Sequence, residues 1–180
     1  MTAPPDLASL YEAKALAELR DADALAGVAG GWSGDPLGAV ALVVGTPAGA
    51  EGGLLAAEAA EAVAKALSAL GFEEGSAFMI ASRPADGDPP ALTARLRLAL
   101  EAVDAPLVLA LDPQAAEDLA AAFGLQRLDP GKPARAQGRV LGSAGDFAGS
   151  LGDPRAKSRV WTAMKSVAAA TGHKTQSRRP

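Results

Sequence analysis

Three short, uninterrupted apolar runs most constrain the fold of this 180-residue chain. They cover residues 40–44, 77–81 and 106–111. Runs of this length without polar alternation are typical of strands buried on both faces of a largely parallel sheet. Each run is followed by a segment rich in helix-forming residues, and strand–helix alternation favours an α/β fold. We therefore expect a three-layer α/β/α sandwich around a mainly parallel sheet.

The segments between these runs predict helices with recognisable ends. We expect helices from Glu51 to Leu70, from Ala91 to Val103 with Arg95 and Arg97 facing outward, and from Pro113 to Phe123. Residues 126–140 read as irregular, and a weak strand at 139–142 would complete a four-stranded sheet. A final helix should begin at Asp153 and Pro154, since Asp is a favoured N-cap and Pro suits the first turn.

The chain divides into three parts. Residues 1–37 are expected to form an N-terminal leader, with a helix within 6–28 and a flexible, Gly-rich connector around Trp32. A large aromatic in such a connector either packs back onto the domain or binds a partner. Residues 38–170 form the α/β domain, and residues 171–180 form a basic, disordered tail.

Charge is distributed unevenly along the chain. Residues 1–126 carry six Lys or Arg and eighteen Asp or Glu, whereas residues 127–180 carry eleven basic and three acidic side chains. A basic end on an acidic body favours a polyanion or an acidic protein surface as partner. The alternative for the last residues is a solvated tail without a ligand.

Several classes of protein are excluded or disfavoured by composition. The chain has no cysteine, which excludes a disulfide framework, a thiolate metal site and an iron–sulfur cluster. It lacks the features of a signal peptide and any apolar run long enough to span a bilayer. We expect a cytoplasmic protein that has no cofactor, no metal and no membrane association.

Ligands of parallel sheets bind at the carboxyl ends of the strands, so the loops there matter most. Loop 45–53 is glycine-rich but lacks the Lys-Ser/Thr ending of a phosphate-binding loop. Loop 82–90 contains two aspartates that favour a solvated turn over a metal site. In loop 142–153, Phe147 is expected to pack in the core. His173, the single histidine, lies in the tail, where it has no held position for acid–base chemistry.

Three segments in this order resemble the uracil-DNA glycosylase superfamily. VALVVGTPAGAEGG at 40–53 resembles its buried strand and Gly-Glu-x-Pro-Gly-x-x-Glu loop. Residues 77–124 resemble the strand, Cys-Arg-Pro loop, helix, strand and helix of its iron–sulfur members. Residues 142–168 resemble its His-Pro-type loop and the helix that follows. The resemblance covers residues 38–170 and implies the fold described above.

The departures from that family are informative. Thr46 occupies the place of the first acid, Ser143 to Asp146 replace the histidine, and the cluster cysteines are missing. Glu51 is retained at the later acidic position. Base excision requires a carboxylate or positioned water together with a donor to the leaving base. The loop that contains Gly45, Thr46, Pro47 and Glu51 is therefore interpreted as a degenerate active site, and the chain as a non-enzyme.

A non-enzymatic family with a similar layout is the psi subunit of the bacterial DNA polymerase III clamp loader. The shared features are a leader with leucines before a tryptophan, a first loop without catalytic residues and an Asp-Pro-Arg start to a Trp-bearing last helix. The resemblance implies that the leader binds the clamp-loader ATPase subunit (tau/gamma). It also implies that the domain binds the chi subunit, which contacts single-stranded DNA-binding protein. The corresponding anchor residues are Leu16, Leu19 and Trp32.

Two other functions remain open. A nucleic-acid-binding repair accessory would contact phosphates through its basic residues, for which the candidates are Arg135, Arg139, Arg155, Lys157 and Arg159. For Arg155 and Arg159, an exposed helix face without a ligand is the alternative. A divergent uracil-DNA glycosylase would need Glu51 or Asp146 to act on a water.

Overall fold

A six-stranded mixed sheet lies at the centre of the computed structural model, which describes residues 6–172. Its strands are β1 (Trp32–Gly34), β2 (Val40–Val44), β3 (Ala77–Ala81), β4 (Leu107–Ala110), β5 (Ala134–Ala136) and β6 (Arg139–Ser143). The strand order is β1-β3-β2-β4-β6-β5. The inner strands β3, β2, β4 and β6 are parallel, as expected.

The observed sheet has one more strand at each edge than the four strands that we expected. β1 pairs antiparallel with β3, and β5 pairs antiparallel with β6. Both edge strands have three residues, which is too few for an alternating pattern to be recognised in a sequence. The connector around Trp32 and the basic segment before Arg139 therefore contain strands that the sequence did not predict.

The five helices are α1 (Leu7–Ala26), α2 (Ala57–Leu70), α3 (Pro89–Val103), α4 (Pro113–Ala122) and α5 (Pro154–Ala169). All except α2 begin at an aspartate whose carboxylate accepts a backbone N–H, as predicted for Asp153. The helix expected from Glu51 begins only at Ala57. Residues 50–52 form a 3₁₀ turn in which Glu51 has a φ of 52°, and this left-handed conformation cannot continue into a right-handed helix.

Two apolar cores cover the two faces of the sheet and give the molecule three layers. Successive residues of β2 point to opposite faces, so Ala41 and Val43 pack with α1, α3 and α4, while Leu42 packs with α2 and α5. Gly142 in β6 allows close contact between helix and sheet, since an added Cβ there would overlap the side chain of Val167 in α5.

The leader is built into the domain rather than held as a flexible connector. α1 packs along α3, and Leu19 is fully buried between them. Trp32 lies in β1 opposite Ile80 and stacks on Phe78, with ring centres 6.3 Å apart. Arg95, expected to face outward, is buried instead because it pairs with Asp23 of α1.

No helix within residues 6–172 has both the length and the apolar character that crossing a membrane requires. The tail from 173 onward, including His173, lies outside the described residues.

Candidate functional site

A cleft of about 660 Å³ opens where β2 and β3 end. It lies between the loops that follow these strands, the first turns of α3 and the middle of α4. Its polar lining residues are Thr46, Ser82, Arg83, Asp86, Thr93 and Asp118. Parallel sheets bind ligands at this end, so the cleft is the position to test for chemistry.

Asp118 is the carboxylate of this cleft that accepts the most hydrogen bonds from other side chains. Arg83 donates to it from Nε over 2.9 Å and from Nη2 over 2.8 Å, and Ser82 Oγ donates over 2.6 Å. Burial raises the pKa of Asp118, but the hydrogen bonds from Arg83 and Ser82 outweigh that effect, so its pKa lies below the ordinary value. A carboxylate held ionised in this way is a poor general base.

Ser82 is equally restricted. Its side chain is 2% exposed, and its hydroxyl is shared between Asp118 and the carbonyl of Gly45. A nucleophilic hydroxyl needs access to substrate and an adjacent base of suitable pKa. The contacts of Ser82 therefore tie the ends of β2 and β3 to α4.

The loop that contains Gly45, Thr46, Pro47 and Glu51 is held by a contact to α4 and by its own backbone. Gly45 N donates to Asp112 at the start of α4 over 2.7 Å, and Gly49 N donates to Gly53 O over 2.9 Å. Thr46 lines the cleft, whereas Glu51 does not. Glu51 is exposed, and within residues 6–172 it forms no hydrogen bond or ion pair.

The loop after β6 also turns its carboxylate away from the cleft. Asp146 is exposed and accepts the N–H of Gly149 over 2.9 Å, which closes a turn. Phe147 is buried in the core beneath α5, as predicted. Neither Glu51 nor Asp146, the two candidates for activating a water, lines the cleft. The described residues contain no group of three metal-ligating side chains placed to hold an ion.

The basic candidates separate into exposed and buried groups. Arg155, Lys157 and Arg159 are exposed on α5, and Arg135 is exposed on β5. Arg139 was predicted to contact phosphates, but it is not accessible for that role. It is 6% exposed and donates to Asp104 over 2.6 Å. Arg139 begins β6, which lies beside β4, and its side chain is buried against the domain. The carboxylate of Asp104 compensates the charge of its guanidinium.

The expected partner anchors face inward. Leu19 is buried and Leu16 is half-buried against the core, and Trp32 Nε1 donates to Asp23 over 3.0 Å. The exposed apolar side chains of α1 are others: Leu7, Leu10, Tyr11 and Leu25. Helical spacing located α1 correctly, but α1 is apolar on more than one side, so spacing alone did not select the face that packs on α3.

Two features of the cleft and of α5 could not be read from the sequence motifs. Asp118 lies in the middle of α4 with no motif around it, and its partners are 35 and 36 residues away. Lys165 was not considered although it follows Trp161 by one helical turn, a spacing that predicts contact. Lys165 Nζ lies 5.6 Å from the centre of the Trp161 ring.

No protein-family model matches this chain, and a comparison with curated proteins finds no significant match.

Proposed function

We propose that this chain is a non-catalytic nucleic-acid-binding accessory protein that contacts the phosphate backbone through α5. The observation that carries the proposal is the charge of this helix. α5 bears Arg155, Lys157, Arg159 and Lys165, and residues 154–169 include no acidic side chain. Exposed cations without neighbouring acids are the usual basis of phosphate binding, which is independent of sequence.

Neighbouring cations extend this surface. Ser166 Oγ of α5 donates to Gly131 O over 2.8 Å, and Arg135 Nη2 donates to Ala170 O over 2.6 Å. These contacts hold Arg135 beside the helix, whereas Lys132 of the same segment is paired with Asp129 over 3.0 Å. Arg155 and Arg159 are one turn apart on the same side of α5 and have no ion pair within residues 6–172. They are therefore free to contact phosphates.

The cleft supports a protein without catalysis. Its carboxylate is paired with Arg83, and the two other acids proposed for water activation point elsewhere. A catalytic carboxylate needs reach to a substrate or its water. The resemblance to the uracil-DNA glycosylase superfamily fits this proposal, since a scaffold of that kind without the acid and histidine would retain a surface for DNA.

Fluorescence anisotropy with labelled single- and double-stranded oligonucleotides tests the proposal. At about 50 mM salt we expect saturable binding, weakened about tenfold or more in an R155E/R159E variant. The matched control is K14E/K65E, which makes the same change of net charge on α1 and α2. Absence of saturable binding, or equal weakening by the control, would overturn the proposal.

Absence of catalysis has its own test. The wild-type chain is incubated with single- and double-stranded oligonucleotides that contain uracil or hypoxanthine, and cleavage at the resulting abasic site is measured. We expect no excision above a protein-free control. Excision that is lost in Glu51→Gln or Asp146→Asn would instead establish a divergent glycosylase.

A second candidate function is a psi-like subunit of the clamp loader. The observation that favours it is the apolar surface at the start of α1, where Leu7, Leu10 and Tyr11 are each more than half exposed. Exposed apolar side chains clustered in one turn fit a protein partner. These residues, rather than Leu16, Leu19 and Trp32, would then contact the ATPase subunit.

Size-exclusion chromatography with the purified tau/gamma or chi subunit distinguishes this candidate. Co-elution of tau/gamma that is lost in L10A/Y11A would support it. Co-elution unaffected by that variant would move the contact elsewhere, and no co-elution with either subunit would exclude the candidate.

A further inference from the structure

An apolar groove of about 150 Å³ lies between α2 and α5, on the face of the sheet opposite α1. It exists because the side chains of α2 that face α5 here, Ala62 and Ala66, are too small to fill the space between the two helices. The apolar lining residues are Ala62, Ala66, Phe147, Leu151, Val160, Trp161 and Met164. Trp161 is half-buried and forms part of the lining.

The size of the groove restricts what fills it. An apolar cavity of about this volume takes one benzene-sized group. The groove therefore has room for a single bulky side chain, such as Leu or Phe, and not for the packed face of a whole helix. Burial of such a side chain should strengthen the binding of a short peptide about tenfold to a hundredfold.

Positive charge lies along the α5 side of this groove. Lys157 is exposed and lines it, and Lys165 lies over the ring of Trp161. No acidic side chain lines it. Glu58 lies one turn before Ala62 on α2 but forms no ion pair with either lysine within the described residues. The rim is thus complementary to a negatively charged ligand.

We propose that this groove binds an acidic peptide segment of a partner protein. One bulky apolar side chain of the peptide enters between Ala66 and Trp161, and flanking Asp or Glu residues face Lys157 and Lys165. The site uses the opposite side of α5 from Arg155 and Arg159, so it does not rest on the proposed nucleic-acid contacts.

The lining favours a side chain over a nucleobase. The single lining hydroxyl, that of Ser150, is buried and already donates to the carbonyl of Phe147. Among the apolar lining residues, the polar edge of a base would lose its hydrogen bonds to water without gaining others, which is unfavourable. An aliphatic or aromatic side chain has no such requirement.

A peptide array provides the probe. Each peptide is about twelve residues long and carries four Asp or Glu with one Leu or Phe at varied positions, beside matched sets with Gln or Lys in place of the acids. The full chain is applied, and the peptides that bind best are synthesised for titration by isothermal calorimetry. We expect the acidic set to be enriched, and Leu or Phe→Ala in the peptide to weaken binding about tenfold or more.

Variants of the protein locate the site. Ala66→Leu fills the groove and should weaken peptide binding about tenfold, and K157E/K165E should do the same. The control R155E/R159E changes the net charge equally on the other side of α5 and should change peptide affinity less than about threefold. Thermal unfolding of each variant verifies that the fold is retained.

Several results would overturn the proposal. Equal capture of acidic, neutral and basic peptides would show that charge does not select the ligand. An unchanged affinity in Ala66→Leu would place the peptide elsewhere. Competition of a single-stranded oligonucleotide for the groove, lost in K157E/K165E, would assign it to nucleic acid. Self-association abolished by Ala66→Leu, without peptide binding, would assign it to a second copy of this chain.

Discussion

The guanidinium of Arg95 donates to the carboxylate of Asp23 over 2.6 Å in the interior between α1 and α3. The two side chains are 0% and 9% exposed. Arg95 also donates to the carbonyls of Ala81 and Gly30, while Asp23 accepts from Gly30 N and from Trp32 Nε1. A single ion pair therefore joins α1, the connector, β1 and α3.

Removal of either partner should strongly destabilise the fold, because the remaining charge stays buried without compensation. We expect Asp23→Ala or Arg95→Met to lower the free energy of unfolding by about 3–5 kcal/mol. Urea denaturation followed by circular dichroism measures this value. The control Lys14→Ala breaks the exposed pair with Glu18 and should cost less than about 1 kcal/mol. A loss below that level for Asp23→Ala would mean that α1 is not held by this pair.

Gly45 should tolerate no side chain. An added Cβ would lie 2.9 Å from Asp112 Oδ1 and 2.9 Å from Gln114 Cβ, so the hydrogen bond from Gly45 N to Asp112 must shift. We expect Gly45→Ala to cost about 1–3 kcal/mol in urea denaturation. Gly152→Ala is the matched control, since an added Cβ there meets nothing within 4 Å. Equal stability of the two variants would contradict a structural role for the first loop.

Asp118 should make the free energy of unfolding depend on pH in the acidic range. Its pKa is lowered in the folded state, so the ionised carboxylate stabilises the fold at pH values above its unfolded pKa of about 4. The contribution is lost as the pH falls through the folded pKa. The wild type should exceed Asp118→Asn in unfolding free energy at pH 7, and the difference should shrink between about pH 4 and lower values.

Asp86→Asn is the control for that experiment. Asp86 is exposed and has no hydrogen bond or ion pair within residues 6–172. Its variant should follow the wild-type curve. A constant difference between wild type and Asp118→Asn over the whole pH range would contradict the lowered pKa.

Salt dependence should report the number of phosphate contacts. If Arg135, Arg155 and Arg159 contact single-stranded DNA, the logarithm of the association constant should fall with the logarithm of salt concentration at a slope of about −2. R155E/R159E should reduce that slope to about −0.7, whereas K14E/K65E should leave it unchanged. Anisotropy titrations at several salt concentrations measure the slopes. A wild-type slope near zero would exclude phosphate contacts as the source of binding.

Local patterns predicted much of the scaffold. The buried runs at 40–44 and 77–81 form strands with those bounds, and Asp153 caps the last helix as its type and position indicate. These features depend on residues within a few positions of one another, through burial on both faces of the sheet and capping of a helix end. Phe147 was also expected to pack in the core, and it is buried there.

The roles of the arginines could not be derived in this way. Arg95 and Arg139 are as basic as Arg155 and Arg159, but each of the first two has an acidic partner, 72 and 35 residues away in the chain. Residue type therefore does not distinguish a buried structural cation from one that is free for a ligand. Helical spacing assigns a residue to a side of its helix and leaves open which element packs there.

The amino-acid sequence by itself determined the strand–helix alternation, the inner strands and the start of the last helix, because short-range burial patterns and caps specify them. Tertiary structure alone decided that the leader packs on the domain and that Trp32 becomes part of an edge strand. It also decided that Glu51 does not line the cleft and that a groove lies between α2 and α5. Each of these depends on groups brought together from distant parts of the chain, whose burial and charge compensation no local pattern records.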